Sequence, residues 1–408
     1  MALDPGWTVA ELRELAALTG DERGAQRLAW TPTWARAREW LRVRLAELPV
    51  EVEVDPAGNL WATLPGASPR AVVVGSHLDS VPDGGWLDGT LGVLAALEVL
   101  RRVAGEGQPP LTLRLVDWAD EDGARFGRSL IGSEAAAGLL DGEELAALAD
   151  RDGVGVREAL AEHGVELARM GEAHAQLADV VAYLELHIEQ GVELERRDLP
   201  VGVVSGVLGV VRHAVRFEGE TAHAGATALE LRRDALLSAA RLALEVREIA
   251  RRQGGRGTTG DVAAAPGIVT AVAGEATLLV DQRHETPELL ADVERRAREA
   301  ADRIAAEERT TVAWETLLRT APVPFDPLLV SIADDVVTEL AGEALPISSG
   351  ALHDAAAVAR AGVPAAMLFA RSIGGRSHTR EEDTRPEDLE AAVRALDALV
   401  ERVLTALR

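Results

Sequence analysis

The sequence predicts an α/β protein. A large domain with a mixed sheet flanked by helices is interrupted by a smaller, ferredoxin-like α+β domain. Three observations predict this. Short apolar runs at 71–75, 111–116, 181–184 and 365–369 have the length and composition of buried strands. Helical patterns alternate with these runs, which favours α/β order. The middle of the chain instead follows a β-α-β-β-α-β rhythm, the split unit of ferredoxin-like domains.

The elements follow in order. Helical patterning opens the chain at 9–18 and 34–48. Residues 50–54 alternate Val and Glu, which suits a half-exposed strand. Asp55-Pro56-Ala57-Gly58-Asn59 marks a turn. The first buried strand ends at Gly75 and enters a Gly-rich loop, 76–89. Residues 90–103 are apolar almost all round, so that helix is expected deep against a sheet. Residues 134–180 read as charged peripheral helices, with His163 and His174 as solvated surface groups.

The middle segment carries a strand at 211–218 and a helix at 232–251 striped with Ala235, Ala239, Leu242, Val246 and Ile249. Strands are expected near 267–272 and 276–281. Thr286 caps a second helix that starts at Pro287, and a last strand covers 310–315. The chain therefore divides into 1–210, an inserted domain 211–321, and 322–408, with hinges near 208–210 and 320–324.

Composition narrows the function. The 408 residues carry 42 Lys+Arg against 67 Asp+Glu, a net charge of −25. So acidic a surface repels nucleic acid and anionic lipid. There is no cysteine, so any metal must sit on imidazole and oxygen ligands. No apolar run reaches the roughly 20 residues of a membrane span, and no signal-peptide pattern opens the chain. A cytoplasmic protein is expected.

The apolar runs end in chemistry. They lead to His77 and Asp79, to Asp117, Asp120, Glu121 and Asp122, to Glu185, His187 and Glu189, and to His378. Polar groups just past strand ends are where α/β sheets place their sites. With Asp88 added, the set looks like the shell of a two-metal hydrolase. A ligating imidazole needs an orienting partner on its other nitrogen, and Asp79 can serve His77. The Gly-rich loop lets Asp88 fold back, where its two oxygens can bridge two ions. Adjacent Glu121 and Asp122 point opposite ways in an extended segment, so one can bind metal while the other faces substrate as a general base. Singly, each motif is more often a solvated turn or a satisfied core group. Together, at strand ends, they are hard to read that way.

These residues resemble a known family. The stretches are Gly75-Ser76-His77-Leu78-Asp79-Ser80-Val81-Pro82-Asp83-Gly84-Gly85, Asp88-Gly89, Asp122-Gly123-Ala124-Arg125-Phe126-Gly127, Glu185-Leu186-His187-Ile188-Glu189-Gln190-Gly191, His223-Ala224-Gly225, Arg232-Arg233-Asp234-Ala235, His353-Asp354-Ala355 and Ser377-His378. They are similar to bacterial N-carbamoyl-L-amino-acid hydrolases and allantoate amidohydrolases, within the dinuclear-metal aminopeptidase/acylase/carbamoylase superfamily.

The resemblance implies two divalent ions per subunit, zinc foremost, with manganese, cobalt and nickel also compatible. His77, Asp88 and His187 would hold one; Asp88, Asp122 and His378 the other. Glu121 would be the general base. Gln190 and His223 would contact the ureido group, with His223 stabilising the oxyanion. Arg283 would grip the substrate carboxylate. A histidine at 187 favours the carbamoylase branch over the peptidases. The inserted domain would be a lid and the site of homodimerisation.

The chain also departs from the family. The usual Asn-Val-Val-Pro-Gly reads Thr270-Ala271-Val272-Ala273-Gly274, so Thr270 stands where an asparagine helps bind substrate. Trp86-Leu87 replaces Arg-Phe. His213 and His284 are expected in surface or interface roles, and His353 as support near the metals. Glu382 would be a partner of His378 or an exposed acid at a helix start. The expected function is hydrolysis of a linear amide in a ureido acid. The alternatives are an aminoacylase or dipeptidase, or a non-catalytic dimeric binding protein.

Overall fold

Nine strands form the main sheet, and its centre explains why the chemistry gathers at one edge. The computed structural model describes residues 2–408, in two compact units: residues up to Ser205 with Phe325–Arg408, and Gly206–Pro324. In the first unit, Ala365–Ala370, Val180–Ile188, Ser68–His77 and Leu111–Trp118 lie side by side, all parallel. Parallel strands end on one side of a sheet, so all four apolar runs deliver their polar ends together. Antiparallel strands flank this centre, with Leu60–Leu64 and then Glu51–Val54 on one side and Val201–Val207 on the other.

Helix starts follow local chemistry. Asp4, Thr31 and Asp326 cap helices Pro5–Thr19, Pro32–Leu45 and Pro327–Ala341, each with proline in its first turn, where the missing N–H costs nothing. The helix Thr90–Glu106 is buried at every residue from Thr90 to Val103, as its apolar run predicts. Its buried charges are paired: Arg101 with Glu11 at 2.7 Å, Arg102 with Asp397 at 2.6 Å. Leu97, Val99, Leu396 and Val400 join Val72 and Leu184 of the sheet in one core. Among the described residues, no helix is long and apolar enough to cross a membrane.

The second unit is a four-stranded antiparallel sheet in the order Arg256–Ala265, Glu275–His284, Gly209–Glu218, Thr311–Thr320. Helices Ala235–Gln253 and Pro287–Glu308 supply Leu242, Val246, Val293 and Ile304 to a core shared with Val215, Phe217, Leu278 and Val280. Thr286 caps the second helix through Leu289 N at 3.2 Å. The unit begins at Gly206 rather than 211 and ends at Pro324 rather than 321. The shift arises because its two connecting segments pair with each other, Gly206 with Pro324 and Val207 with Val323. Gly206 has φ 155°, and a Cβ there would lie 2.5 Å from the Val323 carbonyl oxygen.

One strand expectation fails. Residues 267–270 form a loop, and the sheet strand is Arg256–Ala265. That strand is mostly Gly, Thr and Ala, with exposed side chains on both faces at its far end, so it carries no apolar alternation to read. Ala271–Val272 pairs instead with Ala222–His223.

Candidate metal centre

His77 is the last residue of its strand and His187 the last but one of the neighbouring strand. Asp88 ends the Gly-rich loop, just before the buried helix. Gly89 at the helix start has φ 63°, and a Cβ there would sit 2.4 Å from the His77 ring, so only glycine lets loop and ring meet. Asp88 Oδ1 lies 3.0 Å from His187 Nε2 and 3.7 Å from His77 Nε2. Its Oδ2 lies 3.4 Å from His378 Nε2, which is also 3.4 Å from Asp122 Oδ1. Glu121 Oε2 is 3.6 Å from His77 Nε2. The structure thus brings His77, Asp88, Glu121, Asp122, His187 and His378 into one cluster. His378 and Gln190 both hold left-handed backbones, φ 57°, a conformation non-glycine residues seldom keep without a tertiary reason.

These groups fit a divalent cation. The ligand atoms of His77, Asp88 and His187 lie within 4.8 Å of one another. The His77 Nε2 atom is buried and meets no hydrogen-bond partner, an unfavourable state for a nitrogen facing only carboxylates and another ring unless a cation completes it. Burial pushes His77 down to about 3, which keeps its imidazole neutral and ready to ligate. Burial opposes charge on His187 too, but Asp88 outweighs it and holds that ring up at about 9. Glu121 and Asp122 are driven well above the usual carboxylate range, first by burial and then by the neighbouring acids. Buried acids this crowded call for positive charge.

Asp79 does serve the second nitrogen of His77, through its backbone carbonyl. The His77 Nδ1 contact is with the Asp79 backbone carbonyl at 3.2 Å, while the carboxylate stands off at 3.7 Å. Both Asp79 oxygens instead accept backbone amides, from Glu121 at 3.2 Å and Asp122 at 3.1 Å. They fix the acid loop, and Asp79 also stands with His77 and Asp122 in a second group whose ligand atoms lie within 4.8 Å of one another. Nearby, Asp120 accepts from the Trp30 indole at 2.8 Å. Asp117 accepts the Leu78 amide and the Arg38 guanidinium, each at 2.8 Å. Arg38→Ala would strand this buried carboxylate. It is expected to cost about 3–5 kcal/mol, read as a lower urea midpoint; an unchanged midpoint would show the pair to be dispensable.

Gln190 Nε2 donates to Asp88 Oδ2 at 3.0 Å and to Ser377 Oγ at 3.1 Å, leaving its buried Oε1 without a partner. Ser377, unmarked as a site residue by its sequence, donates to the same Asp88 oxygen at 2.7 Å. His353 is buried with its ring 4.5 Å from that of His187, and Ser349 holds it at 2.9 Å. Glu382 is neither a partner of His378 nor exposed. It is 2% accessible and accepts the amides of Leu87 and Asp88. No local pattern shows that Ser377 and Glu382 hold Asp88, because that partner lies almost 300 residues away.

The other expected residues lie in the second unit. His223 pairs in register with Ala271, next to Thr270. Its Nδ1 accepts the amides of Gly225 and Ala226 at 3.1 and 3.0 Å, which leaves Nε2 as the ring's donor. Arg283 holds Asp281 through two bonds of 2.8 and 3.0 Å. His213 and His284 prove buried rather than superficial: His213 stacks edge-on to Trp314 and lies 3.3 Å from Glu294, and His284 bonds the Gln253 carbonyl. In the first unit, His163 is half-buried against the rings of Trp30 and Trp34, while His174 is exposed as expected. Trp86 is half-buried on the core.

The model of peptidase family M20/M25/M40 matches residues 73–402. An N-carbamoyl-L-amino-acid amidohydrolase of Paenarthrobacter aurescens is 35% identical, over 95% of this chain and 96% of its own length. An allantoate amidohydrolase of Bacillus subtilis is 32% identical, over 92% of each. The solved structure of an amidase of the hydantoinase/carbamoylase family from Burkholderia multivorans superposes with a TM-score of 0.89, at 32% identity and 98% coverage of each chain. The fold, the clustered strand ends and these end-to-end likenesses agree, and the chain belongs to peptidase family M20/M25/M40.

Proposed function

We propose that this protein hydrolyses a linear C–N amide of a ureido acid, of the N-carbamoyl-L-amino-acid or allantoate type. Ammonia is released. One observation carries the reading: a cage of His77, Asp88, His187, Asp122 and His378 with Glu121 beside it, in a chain matched almost end to end by carbamoyl and allantoate amidohydrolases.

His77, Asp88 and His187 would hold one divalent ion, and Asp88, Asp122 and His378 a second, zinc foremost. Such ions supply Lewis acidity and lower the pKa of an attacking water. Glu121 would take a proton from a water adding to the carbamoyl carbon and return it to the leaving nitrogen. For a carbamoyl substrate the products are an amino acid, carbon dioxide and ammonia. Gln190 Oε1, lacking a protein partner, is suited to accept a ureido N–H. His223 donates through Nε2 to the developing oxyanion, a kind of contact often worth about 3–4 kcal/mol. Arg283 and Thr270 recognise the substrate carboxylate, and the inserted unit serves as lid and dimer interface of a cytoplasmic homodimer.

A substrate panel on metal-reconstituted protein tests this. N-carbamoyl-L- and D-amino acids, allantoate, ureidoglycolate and β-ureidopropionate should include the best substrate. Faster turnover of N-acetyl amino acids or dipeptides would move the protein to the acylase or peptidase branch. No turnover of anything, with less than one ion per chain, would make it a binding protein.

A further inference from the structure

We infer that Glu382 is a positioning residue that holds the Asp88 loop in ligating geometry and so sets the affinity of the cation site. The inference rests on the reading of Asp88 as a ligand. Three observations carry it. Glu382 Oε1 accepts two successive amides, Leu87 at 2.8 Å and Asp88 at 3.0 Å. Gly85 leaves the carboxylate its space, since a Cβ there would lie 2.0 Å from the Glu382 carboxyl atoms. And the segment that carries Glu382 also carries Ser377, whose hydroxyl donates to Asp88 Oδ2 at 2.7 Å.

Asp88 is therefore gripped twice by residues 377–382: Ser377 on its carboxylate, Glu382 on its backbone. His378, between them, faces the same Asp88 oxygen at 3.4 Å. A loop that ends in glycine at 84, 85 and 89 has little stiffness of its own. The buried acceptor supplies it from a distant part of the chain. Outer partners of this sort are commonly worth about 10–100-fold in metal affinity.

The test titrates metal-free full-length protein with Zn²⁺ against a chromophoric chelator, with Tm of the metal-free proteins measured in parallel. Glu382→Ala should bind Zn²⁺ about 10–100-fold more weakly, while its metal-free form still unfolds in one cooperative transition. Glu382→Gln, whose amide oxygen still accepts both N–H groups, should keep wild-type affinity. Gly85→Ala should reproduce the loss by displacing the carboxylate, and the Gly85→Ala/Glu382→Ala double variant should lose nothing beyond Glu382→Ala alone. Wild-type affinity in Glu382→Ala, equal loss in Glu382→Gln, or additive losses in the double variant would each overturn the inference. Failure of the wild-type protein itself to bind Zn²⁺ would instead sink the metal reading beneath it.

Discussion

Replacing Glu121 by Gln is expected to lower kcat by about 10²–10⁴-fold, the usual worth of a positioned acid–base group. Metal content and KM should stay near wild type. The side chain sits in the cluster without bonding to any of its imidazoles, 3.6 Å from His77 Nε2. Burial raises its proton affinity, and the charges of Asp354, Asp122, Asp88 and Asp79 raise it further. A carboxylate so placed takes a proton from water more readily than an exposed one. Glutamine keeps the volume and the hydrogen-bonding shape but cannot carry the proton. Single-turnover kinetics on protein with verified metal content measures the effect. Near wild-type turnover would remove Glu121 from the mechanism, and loss of bound metal would recast it as a ligand.

The second large effect belongs to Asp88. Its two oxygens face different imidazoles, Oδ1 towards His187 and His77, Oδ2 towards His378. Asp88→Ala should therefore lose both ions together, and turnover with them. The stability readout is independent of activity. A ligand present at about 1,000 times its Kd stabilises the folded state by roughly 4 kcal/mol. In a unit of this size that corresponds to a Tm shift of about 6–7 °C. Added Zn²⁺ should raise the Tm of chelated wild-type protein by that order and leave Asp88→Ala unmoved. A variant whose Tm still climbs with metal would show that Asp88 is not shared between two sites.

Much of this was legible along the chain. The apolar helix at 90–103, the Thr286-Pro287 helix start and the strands ending near His77 and His187 are local patterns, and each is present. Strand Arg256–Ala265 was not legible, because an edge strand with exposed side chains needs no hydrophobic alternation. That Asp79 meets His77 through its carbonyl and gives its carboxylate to two amides was hidden for another reason. Whether a carboxylate meets an imidazole or two amides depends on how a neighbouring strand's loop comes to rest, and here the amides of Glu121 and Asp122 reach it first.

The sequence by itself determined which residues end up at the site. Buried parallel strands must place their polar ends on one side, so His77, Glu121, Asp122 and His187 had little choice, whereas His378 lies beyond a turn that follows its strand. The tertiary structure alone decided how they are held. Ser377 and Glu382 grip Asp88 across almost 300 residues, and Trp30 anchors Asp120 across 90. Contacts of that range depend on packing and register, and no local spacing encodes them.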